Sequence, residues 1–323
     1  MLTIYDAAGG GLVKREARTA ITNATVWIDL LNPTSEEDGT VETALGIAIP
    51  TRAEMREIEA SNRLYNETGA HFMTAFIVYN VEAQIPSFTA VTFILVGHRL
   101  VTVRYAEPRA FPIFLQRVDK GDAACGSGAV IMIGLLEALI HRKADLIERN
   151  QDEVDGLAPA IFDIKGGQQT RNRRFDVILK NLGKQGDITS RSQESAVSLE
   201  RLLTYFAAAA RERGEDKRLL QRIETARRDI HSLMEHMRFL LGRINFLLDA
   251  TLGMITTEQN QIIKLFSVMA VVLLPPTLIA SIYGMNFKFM PELDWILGYP
   301  LALGLMIVSG LVPYVYFRRK GWL

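Results

Sequence analysis

Two long apolar stretches near the C-terminus dominate the hydrophobic pattern of this chain. They run from Leu265 to Tyr283 and from Trp295 to Phe317, and neither contains Asp, Glu, Lys, Arg or His. Because a hydrocarbon core of about 30 Å requires roughly 20 apolar helical residues, each stretch is long enough to cross a membrane. Aromatic residues lie at their ends, which favours this interpretation over a helical hairpin buried in a soluble core. The pattern predicts two transmembrane helices.

The segment before the first apolar stretch has a helical pattern that contains no proline from Lys217 to Leu274. At about 1.5 Å per residue it would extend for roughly 85 Å, which is too long for a compact globular fold. We therefore predict a stalk helix, residues 216–283, whose membrane part is about 264–283. Pro275 and Pro276 are expected to kink this helix inside the membrane.

The N-terminal part, residues 1–127, is predicted to be an α+β domain. Runs rich in β-branched and aromatic residues predict strands. These runs are Ala24–Leu30, Phe72–Asn80, Thr89–Gly97 and Arg99–Glu107. Gly97 and His98, between the last two runs, predict a hairpin turn. Thr51 is followed three residues later by Glu54, a spacing that resembles a capping box and predicts the start of a helix.

Residues 128–215 have a predominantly helical pattern. Apolar residues recur three and four positions apart over Ala129–Leu157 and Ile188–Arg213, and the segment between them contains Pro and Gly residues that predict a turn or a local break. The apolar run Ala129–Ile140 is too short to span a membrane and is interrupted by Glu137. This region is therefore predicted to be a helical part of the same soluble portion.

One face of the stalk is a stripe of small or polar residues interrupted by a few aliphatic ones, unlike the surface of a lipid-facing helix. At alternating steps of three and four residues, this stripe contains Gly284, Ser281, Thr277, Leu274, Ala270, Ser267, Ile263, Asn260, Thr256, Gly253 and Asp249. A sustained period of about 3.5 residues places such positions on the axis of a helical bundle. Packing of membrane helices through small residues would give a similar pattern. Asn260 and Asp249, in the same phase, favour a water-lined pathway instead.

Charge and composition place the ends of the chain and limit its chemistry. Basic residues flank the apolar hairpin at Lys264 and in the tail, residues 318–323, whereas the loop 284–294 contains Lys288 together with Glu292 and Asp294. This bias predicts that both termini are cytosolic and that the loop is periplasmic. The N-terminus lacks an apolar signal segment, and the single cysteine, Cys125, excludes an intrachain disulfide.

The sequence offers little support for an enzyme or a nucleic-acid-binding protein. The 36 basic and 36 acidic residues balance, so charge indicates no nucleic-acid partner. A phosphate-binding loop is absent, and His231 and His236 lie outside any zinc-protease motif. We therefore predict no catalytic residues and no resident cofactor.

The loop and its flanking helices carry a recognisable motif. YGMN at Tyr283–Asn286 is followed by MPEL at Met290–Leu293, and the chain ends in PYVYFRRKGWL. With VWIDLLNP and TRAEMREIEAS nearer the N-terminus, these segments resemble the enterobacterial-type branch of the CorA magnesium transporters over nearly the whole chain. The resemblance implies a homopentamer in the inner membrane, with a cytosolic α+β funnel domain, a pore lined by the first transmembrane helix and a second helix, residues 295–317, packed outside it.

The resemblance also suggests roles for individual residues. Gly284, Met285 and Asn286 are expected to form the selectivity filter, with hydrated Mg²⁺ at Asn286, because Mg²⁺ gives up its waters reluctantly. Glu292 would attract cations to the mouth of the pore. The expected pore-lining residues are Thr277, Leu274, Ser281, Ser267, Ile263, Asn260, Thr256 and Asp249. Ile263, Phe266 and Leu274 are the expected hydrophobic gate.

Mg²⁺ is then the expected substrate, with Co²⁺ and Ni²⁺ as further substrates, and the membrane potential is the driving force. Cytosolic Mg²⁺ is also expected to act as a regulatory ligand. Glu82, Asp152, Glu224 and Asp229 are candidate ligands that no family motif singles out. Two alternatives stay open at this point: a zinc transporter of the same architecture, and a membrane-anchored coiled-coil scaffold that transports nothing.

Overall fold

The computed structural model describes residues 1–9, 11–15, 21–57, 59, 62–80, 86–123, 125–162, 168–286, 288, 290–291 and 294–322, with backbone alone for 168–173. The strands are β1 (Leu2–Ala8), β2 (Gly11–Arg15), β3 (Thr25–Leu31), β4 (Leu64–Glu67), β5 (Ala70–Tyr79), β6 (Ser87–Val96) and β7 (Arg99–Arg104). The helices are α1 (Ser35–Leu45), α2 (Ala110–Asp119), α3 (Gly128–Phe162), α4 (Gln168–Glu212), α5 (Lys217–Tyr283) and α6 (Gly298–Arg319).

The strands form one mixed sheet in the order β2-β1-β3-β7-β6-β5-β4. Neighbouring strands are antiparallel except β3 and β7, which are parallel. The predicted hairpin at Gly97 and His98 is confirmed, since Val96 pairs with Arg99 and Gly97 has a φ of 55°. The four predicted strand runs correspond to β3, β5, β6 and β7, while β1, β2 and β4 were not predicted.

Both faces of the sheet are covered, which explains why β3 is buried along most of its length. On one face, Ile28 and Leu30 belong to a cluster that includes Val41 of α1. On the other, the Trp27 ring lies 6.2 Å from Phe111 of α2, and its Nε1 donates to Thr102 Oγ1 at 3.0 Å. The α+β domain therefore has a packed layer on each side of the sheet.

The predicted helix at Thr51 is wrong in its extent. Thr51 and Glu54 do exchange the hydrogen bonds of a capping box, with Thr51 N donating at 2.7 Å and Glu54 N at 3.3 Å. The helical turn is a 3₁₀ turn of three residues, Glu54–Arg56, and Glu57 returns to ψ 143°. Met55 is its one buried residue, so no apolar face stabilises a longer helix. The capping box that opens a full helix is Thr34 with Glu37, at the start of α1.

The helical boundaries differ from the predicted ones at several proline and glycine positions. Helix α3 continues through Pro159 to Phe162, and α4 begins at Gln168 rather than near Ile188. Helix α5 extends over 67 residues and includes Pro275 and Pro276, so the proline pair does not end it. A kink at this pair stays a prediction. Helix α6 begins at Gly298, three residues after the predicted start.

The chain divides into two compact units. The first contains the sheet, α1 to α3, most of α4 and α5 as far as Leu247. The second contains α4 as far as Asp176, α5 from Leu248 onward and α6. Both apolar helices meet the length and composition expected of membrane spans, with mean hydropathies of 2.2 and 1.7 over their most apolar windows. A soluble α+β portion, a long helix and a C-terminal apolar helix are thus observed in the predicted order.

Candidate functional site

The candidate filter residues directly follow the C-terminal end of α5. Gly284 N donates to the Ala280 carbonyl at 2.9 Å, and Met285 N donates to the Ile282 carbonyl at 3.3 Å, so the helical hydrogen bonding ends here. A Cβ added to Gly284 would lie 3.1 Å from the Ala280 oxygen, closer than most Cβ contacts, which favours glycine. The side chains of Met285 and Asn286 are exposed beyond the helix end.

This position has a favourable electrostatic character for cations. The C-terminal end of an α-helix carries about half a negative elementary charge, because its last carbonyls point outward along the axis. The last turn of α5 contains no basic residue that would offset this charge. An exposed amide at Asn286, immediately beyond it, adds a further oxygen acceptor. The end of α5 therefore presents partial negative charge and oxygen acceptors, both of which favour a cation.

The predicted stripe is fully exposed within the single chain. Every member from Asp249 to Gly284 is solvent-accessible, including the polar side chains of Asn260 and Thr277. The buried and half-buried positions of this part of α5 lie on another face and include Thr251, Ile255, Glu258, Ile262, Val268, Val272, Pro276, Ile279 and Tyr283. Helix α5 thus packs against its own chain with one face and leaves the stripe uncovered.

Helix α6 supplies part of the covering of α5. Its buried or half-buried positions recur every three to four residues: Gly298, Ala302, Met306, Ser309, Gly310, Pro313 and Phe317. A Cβ added at Gly310 would lie 3.4 Å from both Pro276 Cγ and the Val272 carbonyl oxygen. This close approach shows that α6 packs against α5 at Pro276. Sequence reasoning missed it, although the small residues Gly298, Ala302 and Gly310 repeat with the period typical of packed membrane helices.

Two hydroxyl groups of the stripe have their protons directed to the backbone. Thr277 Oγ1 donates to the carbonyls of Leu273 and Leu274 at 3.0 and 2.8 Å, and Thr256 Oγ1 donates to Leu252 at 2.9 Å. Because each proton is used within the helix, the exposed oxygen is left as a hydrogen-bond acceptor. Acceptors suit a hydrated cation, whose coordinated waters present hydrogen atoms outward.

The three residues expected to form a hydrophobic gate are also exposed. Ile263, Phe266 and Leu274 have 60%, 64% and 64% of their surface accessible. Leu273 and Leu278, which lie off the stripe, are similarly exposed at 61% and 62%. Exposure in one chain therefore does not distinguish the stripe from lipid-facing positions, and the gate stays a prediction.

The remaining candidate residues are not brought together. Glu292 and Glu82 lie outside the described residues. Glu224 pairs with Arg227 at 2.9 Å, whereas Asp152 and Asp229 are exposed. Within the described part of the chain, no three His, Cys, Asp or Glu side chains are arranged to hold a metal ion.

The two histidines considered in the sequence have ordinary hydrogen-bonding partners. His231 Nδ1 lies 3.4 Å from a Glu200 carboxylate oxygen, and His236 Nε2 lies 2.7 Å from Gln151 Oε1. Both contacts join α5 to another helix of the helical part: Glu200 belongs to α4 and Gln151 to α3.

Comparisons with known proteins agree with this architecture. A family model described as CorA-like Mg²⁺ transporter protein matches residues 22–319. A magnesium transport protein CorA from Yersinia pseudotuberculosis is 37% identical over 300 residues, covering 93% of this chain and 92% of that protein. The Escherichia coli K12 protein of the same name is 36% identical over 326 residues and both full lengths.

Solved structures show the same fold. The complete CorA magnesium transporter from Methanocaldococcus jannaschii superposes with a TM-score of 0.80 at 16% identity, covering 100% of this chain and 99% of that one. The cytoplasmic domain of ZntB from Vibrio parahaemolyticus is more distant, with a TM-score of 0.52 at 12% identity, over 78% of this chain and 96% of that one. The match of the family model over nearly the whole sequence shows that this chain belongs to the CorA family of magnesium transporters.

Proposed function

We propose that this protein is a channel-like transporter that admits hydrated Mg²⁺, and also Co²⁺ and Ni²⁺, across the inner membrane. The observation that carries the proposal is the stripe of α5, whose exposed polar side chains include Asn260 and Thr277 and which leads directly to the Gly284-Met285-Asn286 loop at the negative end of the helix. The magnesium transport names of relatives that are 36–37% identical over at least 93% of the chain support the choice of ion.

The polar side chains of the exposed stripe support a proposal of oligomerisation. Polar side chains such as Asn260 and Thr277 are costly in hydrocarbon, and one hairpin of two helices is unable to enclose a water-filled path. A closed ring of identical subunits would place the stripe on its axis. We propose the homopentamer that the family resemblance implies, with lipid around the outer face of α6 and both termini in the cytosol.

Selection would occur at the ring of Asn286 side chains. Mg²⁺ holds its first water shell tightly, so an amide oxygen that accepts hydrogen bonds from those waters avoids the cost of dehydration. Repetition of the negative helix end around the ring strengthens the attraction for a divalent cation. Glu292 would raise the cation concentration at the mouth, and no resident cofactor is required.

Below the filter, the Thr277 and Thr256 oxygens would accept hydrogen bonds from the hydration shell. Leu274, Ile263 and Phe266 would form apolar constrictions that close by expelling water. Uptake requires no nucleotide, since an interior-negative potential supplies about 2.3 kcal/mol per charge per 100 mV, or roughly 4.6 kcal/mol for a divalent cation. Cytosolic Mg²⁺ between subunits would stabilise the closed state.

The test is Mg²⁺ uptake into proteoliposomes with low internal Mg²⁺ and an imposed inside-negative potential. We expect uptake by the parent and its loss in Asn286→Ala, while Asn66→Ala, which removes an exposed amide on β4, transports normally. Size-exclusion chromatography of each variant checks that assembly is intact. Undiminished uptake by Asn286→Ala would contradict selection at the loop, and faster Zn²⁺ than Mg²⁺ uptake, dependent on a proton gradient, would favour a zinc transporter.

A further inference from the structure

A cavity of about 740 Å³ lies between the β4–β5–β6 end of the sheet and helix α4. Its volume is within the range of small-molecule sites, about 300 to 1,000 Å³. Residues of β5, including Phe76, form one wall, and residues 187–201 of α4 form the opposite wall. None of these residues takes part in the transport pathway proposed above.

Positive charge predominates on the cavity wall. Three guanidinium groups, those of Arg63, Arg191 and Arg201, outnumber the two carboxylates, Asp187 and Glu194. Arg191 is paired with Asp187, at 3.0 Å. Arg201 is exposed, and it has no carboxylate partner within the described part of the chain. Among the described residues, this cavity arginine therefore has no carboxylate that pairs with its charge.

Arg63 is held in a fixed position beside it. Its guanidinium lies 4.3 Å from the centroid of the Phe76 ring, and its Nε donates to the Glu57 carbonyl. Burial lowers the pKa of Arg63, and the nearby charge of Arg201 lowers it further. An anion between the two guanidinium groups would reduce this repulsion and give Arg201 a partner of opposite charge.

The walls of the cavity are connected by a hydrogen-bonded framework. Ser195 Oγ donates to the Phe76 carbonyl at 2.7 Å, and Ser198 Oγ accepts from the Phe76 N–H at 3.0 Å. Buried Lys143 donates to Ser195 Oγ at 2.7 Å, which fixes this hydroxyl from behind. A site that is already formed loses less conformational freedom when a ligand binds.

We propose that this cavity binds a phosphate group, contributed either by free phosphate or by a small phosphate monoester, between Arg63 and Arg201. The planar fork of guanidinium donors matches the oxygen atoms of phosphate in a bidentate manner. The cavity is larger than inorganic phosphate requires, and the Phe88 side chain lines the remaining space. This arrangement leaves room for an organic portion such as a nucleoside.

The test is calorimetric titration of the full-length protein in detergent with inorganic phosphate, AMP and adenosine. We expect AMP to bind and adenosine not to bind. Arg201→Ala, at an exposed position, should weaken binding about tenfold or more. Arg63→Lys keeps the positive charge but should also weaken binding, because lysine lacks the bidentate geometry of the guanidinium group. Arg228→Ala removes an exposed arginine of α5 outside the cavity and should leave the affinity unchanged.

The ligands separate the two sources of phosphate. Equal affinity for phosphate and AMP would assign the site to free phosphate, and tighter binding of AMP would assign it to a monoester. Equal binding of adenosine and AMP, unchanged affinity in Arg201→Ala, or no binding up to about 10 mM would each overturn the proposal. The measurement involves no ion flux, so its outcome is independent of the transport assay.

Discussion

Gly310 of α6 faces Pro276 of α5 so closely that a Cβ at this glycine would lie 3.4 Å from the proline Cγ. The same Cβ would be 3.4 Å from the carbonyl oxygen of Val272, whose usual helical partner is the N–H that Pro276 lacks. The glycine thus lets the second apolar helix pass directly over the point where the first has lost a backbone hydrogen bond. Glycine at such crossings permits close approach of membrane helices.

Enlarging Gly310 should therefore separate the two helices. Gly310→Val adds two methyl groups beyond a Cβ that would already be in van der Waals contact with α5, and we expect lower thermal stability and reduced Mg²⁺ uptake. Gly304→Val is the matched control, because nothing lies within 4 Å of a Cβ at that exposed position of α6. Thermal unfolding in detergent checks the prediction, which fails if the two variants have equal midpoints.

Gly128, at the start of α3, makes an even closer contact within the soluble part. A Cβ there would overlap the backbone of Arg99 and Leu100, which has no means of moving aside without disturbing β7. Gly128→Ala should lower the free energy of unfolding by about 1–3 kcal/mol or more, as overpacking generally does.

The control for Gly128 is in the same helix. Gly156→Ala meets no atom within 4 Å and should be neutral or stabilising by up to about 1 kcal/mol, since alanine is the better helix former. Denaturant unfolding of both variants measures the difference. Equal stability of the two would show that the start of α3 adjusts to the added carbon.

Local signals in the sequence account for the parts of the fold that were predicted. The apolar runs that became the membrane part of α5 and most of α6 are long and uncharged, so few alternatives compete with a spanning helix. The strands β2 and β4 were not predicted because they are short and contain several polar residues, so their own β propensity is weak. Their pairing with β1 and β5 stabilises them as strands. The predicted extent of a helix was wrong at Thr51–Glu54. The capping hydrogen bonds form there, but no apolar face follows them to stabilise a longer helix.

The candidate site divides in the same way. The loop residues Gly284 to Asn286 are contiguous, so a short motif is sufficient to propose them as the filter. Gly310 with Pro276, Arg63 with Arg201 and Lys143 with Ser195 are pairs that lie far apart in the chain and are brought near one another by the fold. Periodicity gives the face of each helix, but it does not state which faces meet.

Lys143 provides a prediction about pH. The residue is 1% exposed, its amine donates to the Ser192 carbonyl at 3.1 Å and to Ser195 Oγ, and burial lowers its pKa from 10.5 to about 7. Between these two values the unfolded chain binds a proton that the folded chain does not, so this lysine makes stability rise with pH over that interval. Below about pH 7 both states are charged, and its contribution no longer changes.

Removing the amine should reduce this increase of stability with pH. In Lys143→Met, thermal stability should rise less between pH 7 and pH 10 than in the parent, where the lysine titrates. Lys180→Met, at an exposed position of α4, is the control and should keep the parent's pH dependence. Parallel curves for the parent and Lys143→Met would mean that the buried amine keeps its ordinary protonation.

The hydroxyl of Thr277 gives the most direct test of whether the stripe lines the ion pathway. Thr257 is a suitable control, because it differs from Thr277 chiefly in its position on the helix. Thr277 Oγ1 donates to Leu273 and Leu274, whereas Thr257 Oγ1 donates to Gly253 at 2.9 Å; both are exposed, and only Thr277 belongs to the stripe. If the stripe lines the pathway, Thr277→Val removes an acceptor for the hydration shell and should slow Mg²⁺ uptake several-fold, while Thr277→Ser restores it. Thr257→Val loses the same kind of internal hydrogen bond and should transport at the parent's rate. Equal slowing by both valine variants would attribute the effect to the helix backbone rather than to the pathway, and would leave the stripe as a packing surface.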